Sequence, residues 1–337
     1  MTPSPAHRIS VVVPVYQGDR TLGPLLDELA PLTSRQTTPG GRSMVVEEVL
    51  LVFDHGPDGS ADVIRELARE HAFVRPIWLS RNFGQHPATL AGMASSGGEW
   101  IVTMDEDGQH DPSAIGTLLD TALDQQATVV YAKPTNPAPH GPFRNSASKT
   151  SKWLLAKSLS GGESTKYQSY RLVLGEVGRS LAAYAGSEAY LDVALGWIAG
   201  EVVTAPVELR SERGRPSGYH LRSLLSHFWR MVLSSGTKGL RLVSLIGVLF
   251  SICGLGIVVY VLISYMFFDV GQEVRGWAST IVVLLFGFGA VLFSLGVIAE
   301  YVGVAVKTAM GKPPYLIVSD PAQGPLGRTE AAADRDE

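Results

Sequence analysis

Two stretches without a single charged residue, Leu242–Phe268 and Ala278–Ala299, dominate the last third of the chain. Each exceeds the ~20 residues a helix needs to cross a hydrocarbon core, so a hairpin of two membrane-spanning helices is expected, at about 242–268 and 278–300. Lys238 and Arg241 precede the first stretch, Lys307 and Lys312 follow the second, and the connecting loop carries Asp269, Glu273 and Arg275. The positive-inside rule then puts both ends of the hairpin in the cytoplasm. Two buried core helices are the bland alternative, and these lengths disfavour it. Upstream, Leu221, Leu224, Leu225, Phe228, Met231 and Val232 fall on one helical face. That pattern predicts an amphipathic helix in the membrane interface within residues 220–240, with Trp229, Tyr265 and Trp277 as interface anchors.

The hydrophobic share of 45% and mean hydropathy of +0.14 are high for a soluble protein, and the excess sits in this C-terminal part. A net charge of -4 and a pI near 6.1 leave no global basic surface, which argues against nucleic acid as a partner. The lone cysteine, Cys253, lies in the first apolar stretch, so no disulfide framework or cysteine metal site is expected. The first residues lack the charged-then-apolar pattern of a signal peptide, which places the N-terminal part in the cytoplasm.

From Ile9 to Ala132, short β-branched runs alternate with amphipathic stretches. Expected strands are Ile9–Val13, Val46–Phe53, Val74–Leu79, Trp100–Met104 and Thr128–Ala132. Expected helices are Leu22–Leu32, Ala61–His71 with Ser60 as N-cap, Pro87–Ser95 and Pro112–Gln125. This alternation predicts an α/β domain over residues 1–219, a mostly parallel sheet with helices on both faces. Segments Ser34–Ser43 and Pro134–Pro142 read as loops, and residues 307–337 as a cytoplasmic tail disordered towards its end. In such sheets ligands bind beyond the carboxyl ends of the strands, where Asp54, Asp105 and Asp107 fall.

Asp105, Asp107 and Gln109 follow the apolar run Trp100–Met104. Two carboxylates leaning into one crevice repel by about 4 kcal/mol at 4 Å and an effective dielectric near 20. A divalent cation removes that cost, and an oxygen-only set of Asp105, Asp107 and the Gln109 amide favours Mg²⁺ or Mn²⁺ completed by water and phosphates. Asp111, directly before Pro112, reads instead as a helix cap. His55, His86 and His110 lack a spacing that demands a metal and read as polar loop residues.

The order of the motifs carries more weight than any one of them. VVVPVY (Val11–Tyr16), FDHGPDGS (Phe53–Ser60), SRNFGQ (Ser80–Gln85), MDEDGQHDP (Met104–Pro112), VVYAK (Val129–Lys133) and ERGRPSGY (Glu212–Tyr219) precede the apolar hairpin. In that order the chain resembles the family 2 glycosyltransferases of the polyisoprenyl-phosphate type, which include dolichol-phosphate mannose synthases and undecaprenyl-phosphate glucosyltransferases. The resemblance implies a GT-A type, Rossmann-like domain that transfers one sugar, with inversion, from a nucleotide sugar to a membrane polyprenyl phosphate. It implies a bacterial inner-membrane, multi-pass protein with its catalytic domain and both termini cytoplasmic, and a homo-oligomer is compatible with it. UDP-sugars are the favoured donors, with GDP-sugars as the alternative.

By the same resemblance, Asp105 and Asp107 are catalytic and hold the metal with Gln109, while Pro14, Tyr16, Asp54, Arg81 and Gln85 bind the nucleotide. Lys133, Arg144, Ser148, Arg213 and Ser217 would grip the lipid phosphate. Lys133, Arg144 and Arg213 also fit juxtamembrane charges drawn to anionic headgroups. The chain departs from the family pattern at Phe53, at His55, at Ser169 before Tyr170-Arg171, and at Gly218. Those departures motivate a second reading, a catalytically inactive membrane scaffold. A processive polysaccharide synthase is disfavoured, because Trp197 lies outside the motif such enzymes use and two spans are too few for a polymer channel.

Overall fold

The computed structural model describes residues 5–136, 168–186, 190–198, 203–210 and 277–323, plus isolated helical positions between 247 and 263. By internal contacts the chain divides into two units, residues 1–219 together with 313–337, and residues 220–312.

The first unit is built on β1 (His7–Val15), whose run of valines is buried on both sides. Ile9, Val11, Val13 and Val15 enter one core and Val12 the other, as the period of two in a strand requires. Next come β2 (Gln36–Thr37), β3 (Ser43–Phe53), β4 (Val74–Leu79), β5 (Trp100–Thr103) and β6 (Val129–Pro134). The later strands are β7 (Arg171–Leu174), β8 (Val203–Val207) and β9 (Ile317–Val318). Among the described residues they form one nine-stranded sheet, ordered β8-β6-β7-β5-β1-β3-β4-β9, with β2 paired to β3. β1 is parallel to β3 and β5, β3 to β4, and β6 to β8. β7 runs against β5 and β6, and β9 against β4.

Helices α1 (Leu22–Leu29), α2 (Ser60–Glu70) and α4 (Ile115–Asp124) cover one face through Leu22, Leu26, Ile64, Leu118 and Leu119. The other face carries α3 (Gln85–Ser95), α5 (Gly175–Tyr184) and α6 (Leu191–Ile198) through Leu90, Met93, Leu181 and Leu195. The expected mostly parallel sheet with helices on both faces is thus present. Asp111 does cap the turn at Pro112, its carboxylate accepting from Ser113 N at 2.9 Å. Ser60 is not the cap of α2: Gly59 holds that position, and the Ser60 hydroxyl instead accepts from Gly18 N at 2.7 Å and donates to Asp58 at 2.7 Å. It ties the loop after β1 to the start of α2.

The tail expected after residue 307 is ordered where it is described. Its β9 pairs with β4, and the Asp320 carboxylate takes two bonds from Arg65 at 2.8 and 2.7 Å. Its shortness concealed this strand from the sequence, because its partners lie far away in α2 and β4.

In the second unit, α7 (Trp277–Ala309) contains the single helix, among the described residues, long and apolar enough to cross a membrane, Phe286–Ala309. Only 6% of its most apolar window is buried, and Phe286, Leu292, Phe293 and Leu295 are all more than half exposed. The expected interfacial helix at 220–240 and all but isolated positions of the first apolar stretch lie outside the described residues.

Two expected outcomes follow from this packing. A Cβ on Gly92 of α3 would stand 2.3 Å from Val12 Cγ1 and 3.0 Å from a Val52 methyl. Gly92→Ala should therefore cost about 1–3 kcal/mol of stability by overpacking, measured by denaturant unfolding. The Arg65 bonds hold the Asp320 carboxyl below the ordinary carboxylate range. An acid whose pKa is depressed on folding stabilises above its unfolded value, about 3.9, and loses that contribution as pH falls through the lower folded value. Amide exchange at Ile317 and Val318, corrected for intrinsic rate, should stay flat from pH 7 to 5 and rise below about pH 4.

Candidate active site

Parallel strands deliver their carboxyl ends to one rim, and the crevice lies there, with a volume of about 390 Å³. The end of β1 contributes Pro14, Val15 and Tyr16; β3 contributes Asp54; the loop after β4 contributes Asn82, Gly84 and Gln85; and the loop after β5 contributes Asp105, Glu106 and Asp107. Of the residues proposed from sequence, Pro14, Tyr16, Asp54, Gln85, Asp105 and Asp107 therefore meet in one place. Arg81, Gln109 and Lys133 are not among the residues lining the crevice. The Arg81 guanidinium lies over the Phe83 ring at 4.1 Å and donates to the Asn82 carbonyl, and Lys133 is exposed at the end of β6. Arg144, Ser148, Arg213 and Ser217 lie outside the described residues.

Asp54 is 3% exposed, and its two oxygens accept from Phe83 N at 2.6 Å and Gly84 N at 2.7 Å. Its first role is to shape the loop after β4. Gly84 has φ +96°, a conformation that glycine adopts without penalty, and this lets both amides turn onto the carboxylate. Burial pushes the Asp54 carboxyl up, against the pull of these amides and of His55 and Arg81. Opposite, the Glu106 carboxylate accepts from Tyr16 N at 3.1 Å and Gln17 N at 2.9 Å, fixing the end of β1. Sequence reasoning passed over Glu106 because its partners lie about ninety residues away.

Asp105 is held from both sides. Gln85 Nε2 donates to one oxygen and Ser169 Oγ to the other, each at 2.5 Å, while its own N–H donates to His110 Nδ1 at 3.0 Å. Ser169 thus supplies a neutral donor to Asp105. His110 is buried and stacked on Tyr170, so it is a structural part of the loop rather than a polar loop residue facing solvent. Behind Ser169, its carbonyl accepts from Thr103 Oγ1 at 2.6 Å; Thr103 accepts from buried Arg171, which pairs with Asp192. Asp107 accepts from Gln109 N at 2.9 Å. Arg210, also unforeseen, brackets this loop: its N–H donates to the Gln109 carbonyl, and its guanidinium pairs with Asp111 and Glu28. Burial alone would raise the Asp111 carboxyl, but bonds from Ser113 and the charge of Arg210 hold it below its ordinary range.

The donor set fits a hard divalent cation. Asp105 and Asp107 offer carboxylate oxygens at the crevice, while among the described residues no group of three or more histidine, cysteine or acidic side chains is placed to hold a metal ion by itself. Such a half-built site is what Mg²⁺ and Mn²⁺ use when substrate phosphates and water complete the shell.

Residues 10–176 match the model of Glycosyl transferase family 2. Among solved structures, the chain is similar to glucosyl-3-phosphoglycerate synthase from Mycobacterium tuberculosis in complex with Mn²⁺, UDP and glucosyl-3-phosphoglycerate, at 17% identity and TM-score 0.50 over 69% of this chain and 80% of that one. The same enzyme with Mn²⁺, UDP-glucose and phosphoglyceric acid matches at 16% identity and TM-score 0.50, over 69% and 79%. The protein carries a glycosyl transferase family 2 domain of the GT-A-like fold, and it is a glycosyltransferase.

A Cβ on Gly56 would fall 1.4 Å from the Tyr16 carbonyl oxygen, so the chain after β3 passes against the end of β1 with no room for a side chain. Gly56→Ala should displace Tyr16 and weaken nucleotide binding by about tenfold or more, measured by calorimetry with UDP and Mn²⁺.

Proposed function

We propose that this protein transfers one sugar, with inversion, from a nucleotide sugar to a membrane polyprenyl phosphate. The observation that carries the reading is the meeting of Tyr16, Asp54, Gln85, Asp105 and Asp107 around one crevice in a glycosyl transferase family 2 domain. The fold neighbours bind UDP or UDP-glucose with Mn²⁺ and act on a phosphate-bearing acceptor, which supports the same donor chemistry here. A uridine donor is favoured, with guanosine as the alternative.

In this reading Pro14 and Tyr16 wall the base, and the Asp54-braced loop presents Gln85. Arg81 leaves Phe83 to reach the ribose or diphosphate. Asp105 and Asp107, with Gln109, would hold Mg²⁺ or Mn²⁺, which supplies a Lewis acid against charge developing on the leaving diphosphate. A phosphate oxygen of the acceptor forms the new bond to the anomeric carbon as the bond to the donor diphosphate breaks. That phosphate is largely ionised at neutral pH, since the second pKa of a phosphomonoester is about 6. No strong base is therefore needed. Lys133, Arg144, Ser148, Arg213 and Ser217 supply the cationic and hydroxyl cradle for it.

The lipid acceptor is supported by the exposed apolar surface of α7. Each large side chain left in water forgoes about 1.5–3 kcal/mol of burial, so this helix fits a hydrocarbon surrounding. With Leu242–Phe268 it makes the two-helix hairpin of a multi-pass inner-membrane protein whose sugar-transfer domain and termini are cytoplasmic.

Purified protein in detergent, given undecaprenyl phosphate, Mn²⁺ and a panel of nucleotide sugars, should yield a lipid-phosphate hexose detected by mass spectrometry. Asp107→Ala should lower its formation by about 10²-fold or more. Transfer to a water-soluble phosphate but never to the lipid would discard the lipid acceptor. Nucleotide binding without any transfer would favour the inactive scaffold.

A further inference from the structure

β4 would form the exposed edge of the sheet if β9 did not cover it, and an uncovered edge leaves backbone donors and acceptors unpaired. The cover is only two residues long, with Trp78 opposite Val318 and Leu79 opposite Ile317. Pairing continues one step further: Ser80 N–H donates to the Leu316 carbonyl at 2.9 Å. Ser80 opens the loop that lines the crevice with Asn82, Gly84 and Gln85.

So short a strand does not hold itself, because ordering each residue costs more than a single backbone bond returns. Three contacts hold it. Arg65 grips Asp320 with two bonds, at 2.8 and 2.7 Å, and lies over the Trp78 ring at 4.9 Å. Val318 packs against one core of the sheet. Tyr315 packs against the other, as does Phe83 of the loop itself.

The loop therefore has three anchors. Asp54 fixes Phe83 and Gly84, Asp105 fixes Gln85, and the Leu316 carbonyl fixes Ser80. The first two anchors belong to the crevice. The third comes from a segment 236 positions later in the sequence (316 − 80), just after α7. This bond ties the start of the loop, at Ser80, to the strand beside β4.

We infer that Leu316–Asp320 is a strap that positions the donor loop, with Arg65 and Asp320 as positioning residues for nucleotide binding. This rests on the donor site proposed above. The strap acts on binding of the donor and not on the transfer step, since none of its residues lines the crevice.

The test uses the full-length chain in detergent, with UDP and Mn²⁺ as the probe. Asp320→Ala should raise the Kd for UDP and the KM for the donor about fivefold, leave kcat within about twofold, and speed amide exchange across residues 80–85. Asp320→Glu, which keeps the ion pair, should restore all three. Asp320→Asn serves if the alanine variant does not fold, and should fall between the two. If exchange at 316–318 is released while UDP affinity and exchange at 80–85 stay at wild-type values, the strap only covers an edge and the inference fails. If the wild-type chain binds neither UDP nor GDP, the donor-site reading itself fails, and the strap has no donor loop to position.

Discussion

Four carboxylates, Asp54, Asp105, Glu106 and Asp107, face one crevice, and the architecture around it exists to make that tolerable. Like charges gathered at one crevice repel, by about 4 kcal/mol at a separation of 4 Å and a protein-like dielectric. Backbone amides and neutral side chains meet them: Phe83 and Gly84 at Asp54, Tyr16 and Gln17 at Glu106, Gln85 and Ser169 at Asp105, and Gln109 at Asp107. A neutral donor lowers the cost of removing a carboxylate from water without cancelling its charge. The negative potential remains available to a cation, and each side chain is already placed before one arrives. Preorganised groups of this kind contribute most where a site excludes water.

That arrangement depends on the parallel strands. β1, β3, β4 and β5 end on one rim because they share a direction, so the loops after them bring distant carboxylates together. Two buried cores, one on each face, keep the strands in register. Behind Asp105 the chain Ser169, Thr103, Arg171 and Asp192 carries its support into the sheet. Ser169 gives Asp105 a neutral hydrogen bond that leaves its charge in place, so a serine here does not argue for an inactive site.

The sequence made much of this legible. The valine run of β1, the amphipathic pattern of α2 and the acidic cluster after β5 are local signals, and the structure contains all three. β7 was not legible: four residues opening on Arg171 look like a charged loop until Asp192 and Thr103 are beside them. The same holds for Glu106, Arg210 and Arg65, whose long-range partners lie 89 to 255 residues away. Long-range pairing cannot be read from spacing, and β9 was hidden for that reason. The apolar stretches carry the opposite kind of signal, strong within each segment and silent about partners.

The most direct test of the account is a crystal structure of the protein with UDP and Mn²⁺, located by anomalous scattering. The ion should lie on the Asp107 carboxylate and the diphosphate, with Asp105 beside it and the base against Tyr16. An ion bound away from Asp105 and Asp107, or a nucleotide outside the crevice between Tyr16 and Gln85, would contradict it.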